Sequence, residues 1–440
     1  VTGGPDLSEL AARGVAAAID AGADDAEIYL RAGEVTRMTL QNGDLGANTG
    51  WTCEAACRVW VAERLSILTT GDCDPTTFLA LASRAVTEAR RRGVPSVAQL
   101  ATTSPRSSEI PPTAPPSPGS ARRCLTELAS AVSGHYPAGS LSAAYFAADQ
   151  HRMLVNSRGL RAVDRQTQHR IWCWLEGPAG HTTLAAASRS GTWLDPAALA
   201  AELTAQAGWL DSPGGSVPDD HCAVLLPPRA AADLARVIAQ MLTAERLGSD
   251  LKPLLDRVGG RIATAAVTLV DDTTLPGRLR TRPFDDEGTP AARTVLIDGG
   301  RLAGFLHTRA TAENLGAEPN GKAARPEVWH HPKAAPTNVY LAPGAAGPAE
   351  LASQLGRGLI VTGLSRPGQL HAATGRFTTL VHGWWVERDR PRRPVSGVPL
   401  SAGVFELLRN IRACGDDLAF SPLADGAGAP TVLVSKMRVG

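Results

Sequence analysis

Hydrophobic spacing divides the chain into segments of two kinds. Residues 7–21 carry Leu10, Ala11, Val15, Ala18 and Ile19 at three- and four-residue intervals, which predicts an amphipathic helix. Residues 26–30 and 35–40 read as short strands, with Asn42-Gly43 as a strong turn signal after them. Alternation through Cys57, Val59 and Val61 predicts extended structure over residues 56–69, and residues 75–92 return to helical spacing.

The clearest break is residues 104–120, where Pro105, Pro111, Pro112, Pro115, Pro116 and Pro118 disfavour both helix and central strand and predict a linker or surface loop. Helix resumes over residues 122–133, and residues 143–188 read as a meander of strands. Residues 195–209 form a further helix that starts on Asp195-Pro196, and residues 211–220 form a Gly/Pro-rich joint. The second half opens with an apolar strand at 222–226 and a long helix at 228–244, with Pro228 in its first turn. Strands are then expected at 265–270, 294–298, 301–307, 337–341, 359–362, 377–386 and 431–439, with short helices near Thr311, Ala349 and Val404. The pattern predicts an α+β protein of two domains with extensive antiparallel sheet. These are an N-terminal α+β domain over residues 1–210, holding the proline-rich linker, and a β-rich domain over residues 221–440 built as a curved sheet or barrel.

Composition narrows the class. Of 440 residues, 43% are hydrophobic and 20% charged, as in a soluble globular protein, and a formal net charge of +1 gives no overall field toward nucleic acid or an anionic membrane. The seven cysteines form no CxxC pair, and Cys53 and Cys57 fall on one face of a strand-like stretch. Buried free thiols in a reducing cytoplasm are expected. Residues 1–10 hold two acids and no basic residue or apolar run, so a signal peptide is not expected, and no apolar stretch is long enough to span a bilayer.

Several linked motifs occupy the second half. Arg282-Pro283-Phe284-Asp285-Asp286-Glu287-Gly288-Thr289-Pro290 precedes a strand and the Gly299-Gly300 turn, and Gly304-Phe305-Leu306-His307 follows. Further on stand Pro336-Thr337-Asn338-Val339-Tyr340-Leu341, Gly358-Leu359-Ile360-Val361-Thr362-Gly363, Gly375-Arg376-Phe377, Pro394-Val395-Ser396-Gly397 and Ile411-Arg412-Ala413-Cys414-Gly415-Asp416-Asp417-Leu418. Near the start, residues 21–27 read Ala-Gly-Ala-Asp-Asp-Ala-Glu. Together these resemble the TldD/PmbA peptidase family across nearly the whole chain, and the match is to its TldE/PmbA-type subunit.

In that family, TldD subunits carry zinc on an HExxxH helix and a cysteine near the C-terminus. Two histidines on one helix face can share a metal, and the intervening glutamate can act as base on zinc-bound water. The corresponding helix here begins Pro227-Pro228-Arg229-Ala230-Ala231-Ala232, and no histidine lies between His221 and His307. No metal ligand or catalytic residue is therefore expected in this chain. Cys414 lies upstream of the ligand position, and residues 421–428, where such a cysteine would stand, have none, so Cys414 is read as a packing residue. His330-His331, His371 and His382 could in principle assemble a different metal site, but adjacent histidines on an extended segment point to opposite faces, which argues against a shared ion. Asp285, Asp286 and Glu287 could be an acid–base cluster. Because the resemblance places this loop in catalytic and non-catalytic subunits alike, backbone bonding or substrate lining is preferred.

The resemblance implies a subunit, itself without cofactor, of a heteromeric cytoplasmic zinc metallopeptidase. Zinc is expected in a TldD-like partner, in a heterodimer or higher heteromer. The substrate would be an unfolded or extended peptide, in peptide or natural-product maturation. Asp285, Asp286, Glu287, Gly288, Thr337 and Asn338 are the expected substrate-lining residues, and neither nucleic acid nor membrane is an expected partner. The alternatives are a stand-alone hydrolase with a rebuilt site and a peptide-binding homodimer.

Overall fold

The computed structural model describes residues 6–41, 43–105, 116–178, 180–189, 195–211, 215–248, 252–371, 374–388 and 390–439. Its N-terminal half is a seven-stranded antiparallel sheet. The order is Val94–Pro95, Arg64–Thr70, Asp44–Val61, Asp25–Gln41, Ser140–Asn156, Arg161–Gly177 and Gly180–Ser188. Alternation along the central strand Asp25–Gln41 decides what each face does. Ala26, Ile28, Leu30 and Ala32 pack under the helices Leu7–Asp20 and Pro75–Arg92, while Met38 and Leu40 pack under Pro118–His135. Glu27, Tyr29 and Arg31 project from the other face toward the C-terminal half, and Tyr29 shares a small core with Leu154, Leu160, Phe284 and Val328. Aspartate or serine caps each of these helices: Asp6, Asp74 and Ser117 accept first-turn backbone N–H groups.

The C-terminal half is a closed five-stranded barrel beside a second sheet, whose strands run in the order Arg301–Leu302, Arg293–Asp298, Leu269–Asp272, Val339–Leu341, Ala427–Ala429 and Ala419–Ser421. Arg390–Gly403, Arg376–Glu387, Arg357–His371, His221–Leu226 and Val432–Val439 pair in that order, and Leu400 and Ser401 close the ring onto Val439 and Arg438. All pairings are antiparallel except His221–Leu226 with Arg357–His371. The helix Pro228–Met241 lies in the main core with residues of both the barrel and the second sheet, and most of its residues are buried. Among the described residues no helix is long and apolar enough to cross a membrane.

Most expected elements are present, with informative differences. Residues 26–30 and 35–40 belong to one 17-residue strand, because pairing on both sides carries the chain through Arg31 and Glu34. Arg390–Gly403, recognised only by its motif, is a barrel strand despite three prolines. It is paired along its length on one side and only at Leu400 and Ser401 on the other, so most of its second edge needs no ladder donor. Of the expected linker, residues 106–115 lie outside the described residues. Its end is helical, since Pro118 fits the first turn and Ser117 caps it. The expectation of free thiols needs one correction. Cys57, Cys124, Cys173, Cys222 and Cys414 are buried thiols, but Cys53 and Cys73 are joined, with Cα atoms 6.3 Å apart. The strand carrying Cys53 and the turn into the second helix bring these two side chains together.

Candidate functional site

The segment around Asp285 is a loop bridged at its neck by Phe284 and Pro290. Asp285 shapes it: its carboxylate accepts the N–H groups of Glu287 (2.9 Å), Thr289 (2.9 Å) and Ala323 (3.0 Å). These bonds satisfy buried backbone donors that the loop would otherwise leave unpaired. Gly288 follows at φ +81°, and a Cβ there would lie 2.6 Å from Leu160 Cδ2, so both conformation and space demand glycine.

Asp286 ties the loop to the N-terminal sheet. It accepts from Arg152 Nη1 (2.6 Å), the Tyr29 hydroxyl (3.1 Å), Arg282 Nη1 (3.3 Å) and the Arg325 N–H (2.7 Å). Glu287 Oε2 accepts the N–H of Arg309 at 2.8 Å, at the start of the helix Arg309–Leu315. Burial opposes ionisation of all three acids, but neighbours separate them. At Asp286 the Arg282 and Arg152 guanidinium groups outweigh burial and hold the carboxyl well below the usual range. At Asp285 burial prevails over Arg282 and the backbone donors, and its pKa rises. At Glu287 burial and the Asp285 charge push the pKa up to about 7.

Asp286 and Thr337 stand on the wall of a cavity of about 450 Å³ between the N-terminal sheet and the second sheet. Arg31, Arg152, Arg170, Arg280, Arg282 and Arg325 line it, with Asp286 and Asp425 as the carboxylates. The other expected residues support this wall. Asn338 is fully buried, and its side chain accepts the Arg280 N–H (2.9 Å) and donates to the Asp272 carbonyl (3.0 Å). Thr337 is held through its N–H on Asp271 Oδ2 (2.6 Å). Asp285, Glu287 and Gly288 act in the loop behind. Sequence reasoning missed the arginines and Tyr29. The available signal was alternation: Glu27, Tyr29 and Arg31 occupy every second position of a strand whose other positions are apolar.

A second cavity, of about 590 Å³, opens at the start of the helix Pro228–Met241. Pro227, Pro228, Arg229 and Ala230 form one wall, residues 419–422 another, and Leu184, Leu199, Trp209 and Leu364 much of the rest. The start of the helix that corresponds to the family's zinc helix and Ser421-Pro422, the beginning of the stretch in which the family's cysteine would stand, thus line one cavity. The residues there do not fit zinc: proline, alanine and leucine offer no donor atom, and Arg229 is a cation paired with Glu202. Nearby, His382 is fully buried and stacks on Trp209, with its Nε2 3.4 Å from Gln206 Oε1 and its Nδ1 3.4 Å from Ser365 Oγ. Burial first, then the charge of His181, lowers its pKa to about 4. Gly363 permits this packing, since a Cβ there would lie 2.2 Å from His382 Nε2. Cys414 sits in the main core, where burial pushes its thiol up to about 11. Among the described residues, no three His, Cys, Asp or Glu side chains come together as a metal site.

Residues 219–440, half of the chain, match the family model of the PmbA/TldA metallopeptidase C-terminal domain. The chain belongs to the PmbA/TldD family. A metalloprotease of Methanothermobacter thermautotrophicus is 32% identical over 194 residues, which are 42% of each chain. Metalloprotease PmbA of Escherichia coli O157:H7 is 29% identical over 38% of this chain and 34% of its own. The chain therefore spans about two-fifths of the length of the curated relatives it matches. TldE from Thermococcus kodakarensis has the same fold, with a TM-score of 0.83 over 99% of both chains at 18% identity. A Thermotoga maritima protein matches with a TM-score of 0.81 over 99% of this chain and 100% of its own, at 21% identity.

Proposed function

We propose that this PmbA/TldD-family chain is a non-catalytic, TldE/PmbA-like subunit of a heteromeric zinc peptidase acting on unfolded or extended peptides. The supporting observation is the first turn of the helix Pro228–Met241. It faces a cavity as the family's catalytic helix would, yet brings proline, arginine and alanine to it. In this reading the zinc and the water-activating base belong to a TldD-like partner, and this chain shapes and encloses the path of the peptide. An extended peptide can be held through its backbone without demand for particular side chains.

The test is co-expression with a TldD-type chain carrying HExxxH, followed by size exclusion, zinc analysis and peptide hydrolysis. The expected result is a co-eluting, peptide-cleaving complex with zinc in proportion to the partner. Stoichiometric zinc in this chain alone, or a monomer that ignores the partner, would overturn the reading.

A further inference from the structure

The arginine-lined cavity holds more cationic donors than its own carboxylates satisfy. Asp286 is used up by Arg152, Arg282, Tyr29 and the Arg325 N–H. Asp425, half-exposed, is shared between Arg280 and Arg170, the latter at 3.5 Å. The best hydrogen bonds of Arg170 go to a neutral acceptor, Gln168 Oε1, at 3.0 and 2.8 Å. Arg189, beside the cavity, donates to the carbonyls of Thr167 and Thr281. Arg31 reaches carboxylates only at 3.5 and 3.7 Å.

The deepest of these groups is the most telling. The Arg325 side chain is fully buried, and its Nη2 is paired with Glu27. Its Nε and Nη1, and the Nε of Arg152 and Arg282, are buried without a hydrogen-bond partner among the described residues, while the Arg325 and Arg152 guanidinium groups lie over the Tyr29 and Phe284 rings. Buried guanidinium donors without acceptors leave the wall of the cavity under-neutralised. Burial and the neighbouring Arg280 also lower the pKa of Arg170, as expected of an under-neutralised cluster. The remaining wall includes Gln150, Gln166 and Gln168, whose amides can both donate to and accept from a peptide backbone. A cavity of about 450 Å³ exceeds what a lone inorganic ion fills.

We propose that this cavity is a binding site for an acidic peptide segment, whose carboxylates are taken by Arg170 and Arg280. The inference deepens the peptide reading above by naming the chemistry of the peptide. It is a property of this chain alone, so failure to find a partner does not decide it.

The experiment is fluorescence anisotropy on the isolated full chain with a rhodamine-labelled glutamate pentapeptide. A glutamine pentapeptide is the neutral control, and inorganic phosphate is a competitor. The glutamate peptide is expected to bind at least about tenfold more tightly than the glutamine peptide, the effect of one charge-assisted contact or more, and to weaken as salt rises. Arg170→Gln and Arg280→Gln should each cost about tenfold in affinity, while Arg91→Gln, on an exposed helix end, should leave it unchanged. The Arg280 side chain is 43% exposed, so its variant should fold even if the Arg170 variant does not, and a thermal melt checks both. Equal binding of the two peptides, no binding of either, or binding that survives Arg280→Gln would overturn the proposal. So would phosphate saturating the site while the glutamate peptide stays free, which would make it a phosphate site instead.

Discussion

The two cavities flank one short segment: residues 419–422 line the first, and Asp425 lines the second. They treat charge in opposite ways. At the start of the helix Pro228–Met241 the wall is formed by Pro227, Pro228 and Ala230, uncharged residues that suit a helix start. Around Asp286 the charges are part of the fold, because they join the N-terminal sheet to the C-terminal half: Tyr29 and Arg152 donate to Asp286, and Arg325 donates to Glu27. Charge is peripheral to the fold at the first cavity and part of its joint at the second.

The largest expected effect follows from that contrast. Asp286→Ala leaves Arg152 and Arg282 buried without their shared carboxylate, and removal of one member of a buried ionic network costs roughly 3–5 kcal/mol. Urea unfolding at neutral pH measures it. A loss below about 1 kcal/mol, the range of exposed ion pairs, would mean that the loop does not join the two halves.

The cavities should also differ in the sign of their pH dependence. Glu287, with a folded pKa of about 7 against 4.5, retains its proton longer when folded than when unfolded. Its contribution to stability is therefore full below pH 4.5 and lost as pH rises toward 7, on the order of 3 kcal/mol over the window. Glu287→Gln mimics the neutral acid and can still accept the Arg309 N–H, so it should flatten this slope and stabilise the protein at pH 8. A variant less stable than the parent at pH 8 would refute the assignment.

At the apolar cavity the sign reverses. His382, lowered from 6.5 to about 4, stays neutral in the folded chain while it protonates in the unfolded one. Its contribution is present above pH 6.5 and lost as pH falls toward 4. The two slopes overlap, so Glu287→Gln is the background in which the acid limb should emerge. NMR titration of the His382 ring gives the direct check: a folded-state midpoint near 6.5 would show that water reaches it.

How much of this was legible in the sequence depends on whether the determinant was local. Helix starts at Leu7, Pro75 and Pro228 were readable, because caps, prolines and 3.6-residue spacing lie within a few positions. The DDEG loop was recognisable as a motif, and backbone bonding was one of the two roles foreseen for it. The arginine cavity was not legible, since Arg31, Arg152, Arg170, Arg280 and Arg325 come from five separate segments that only tertiary packing assembles. The long strand Asp25–Gln41 was split in the reading because Arg31 and Glu34 look like a break until both neighbouring strands are seen to pair across them.

The smallest expected effect tests the apolar side of the comparison. Arg229 and Glu202 pair at the edge of that cavity, with side chains 25% and 45% exposed. An exposed pair contributes at most about 1 kcal/mol and is weakened further by salt. Arg229→Ala should therefore change stability by less than about 1 kcal/mol, in contrast to Asp286→Ala, and the difference should vanish in high salt. Urea unfolding at low and high salt separates the outcomes. A loss as large as that of Asp286→Ala would mean that the first turn of the helix Pro228–Met241 carries a structural charge after all, and that both cavities are joints of the fold.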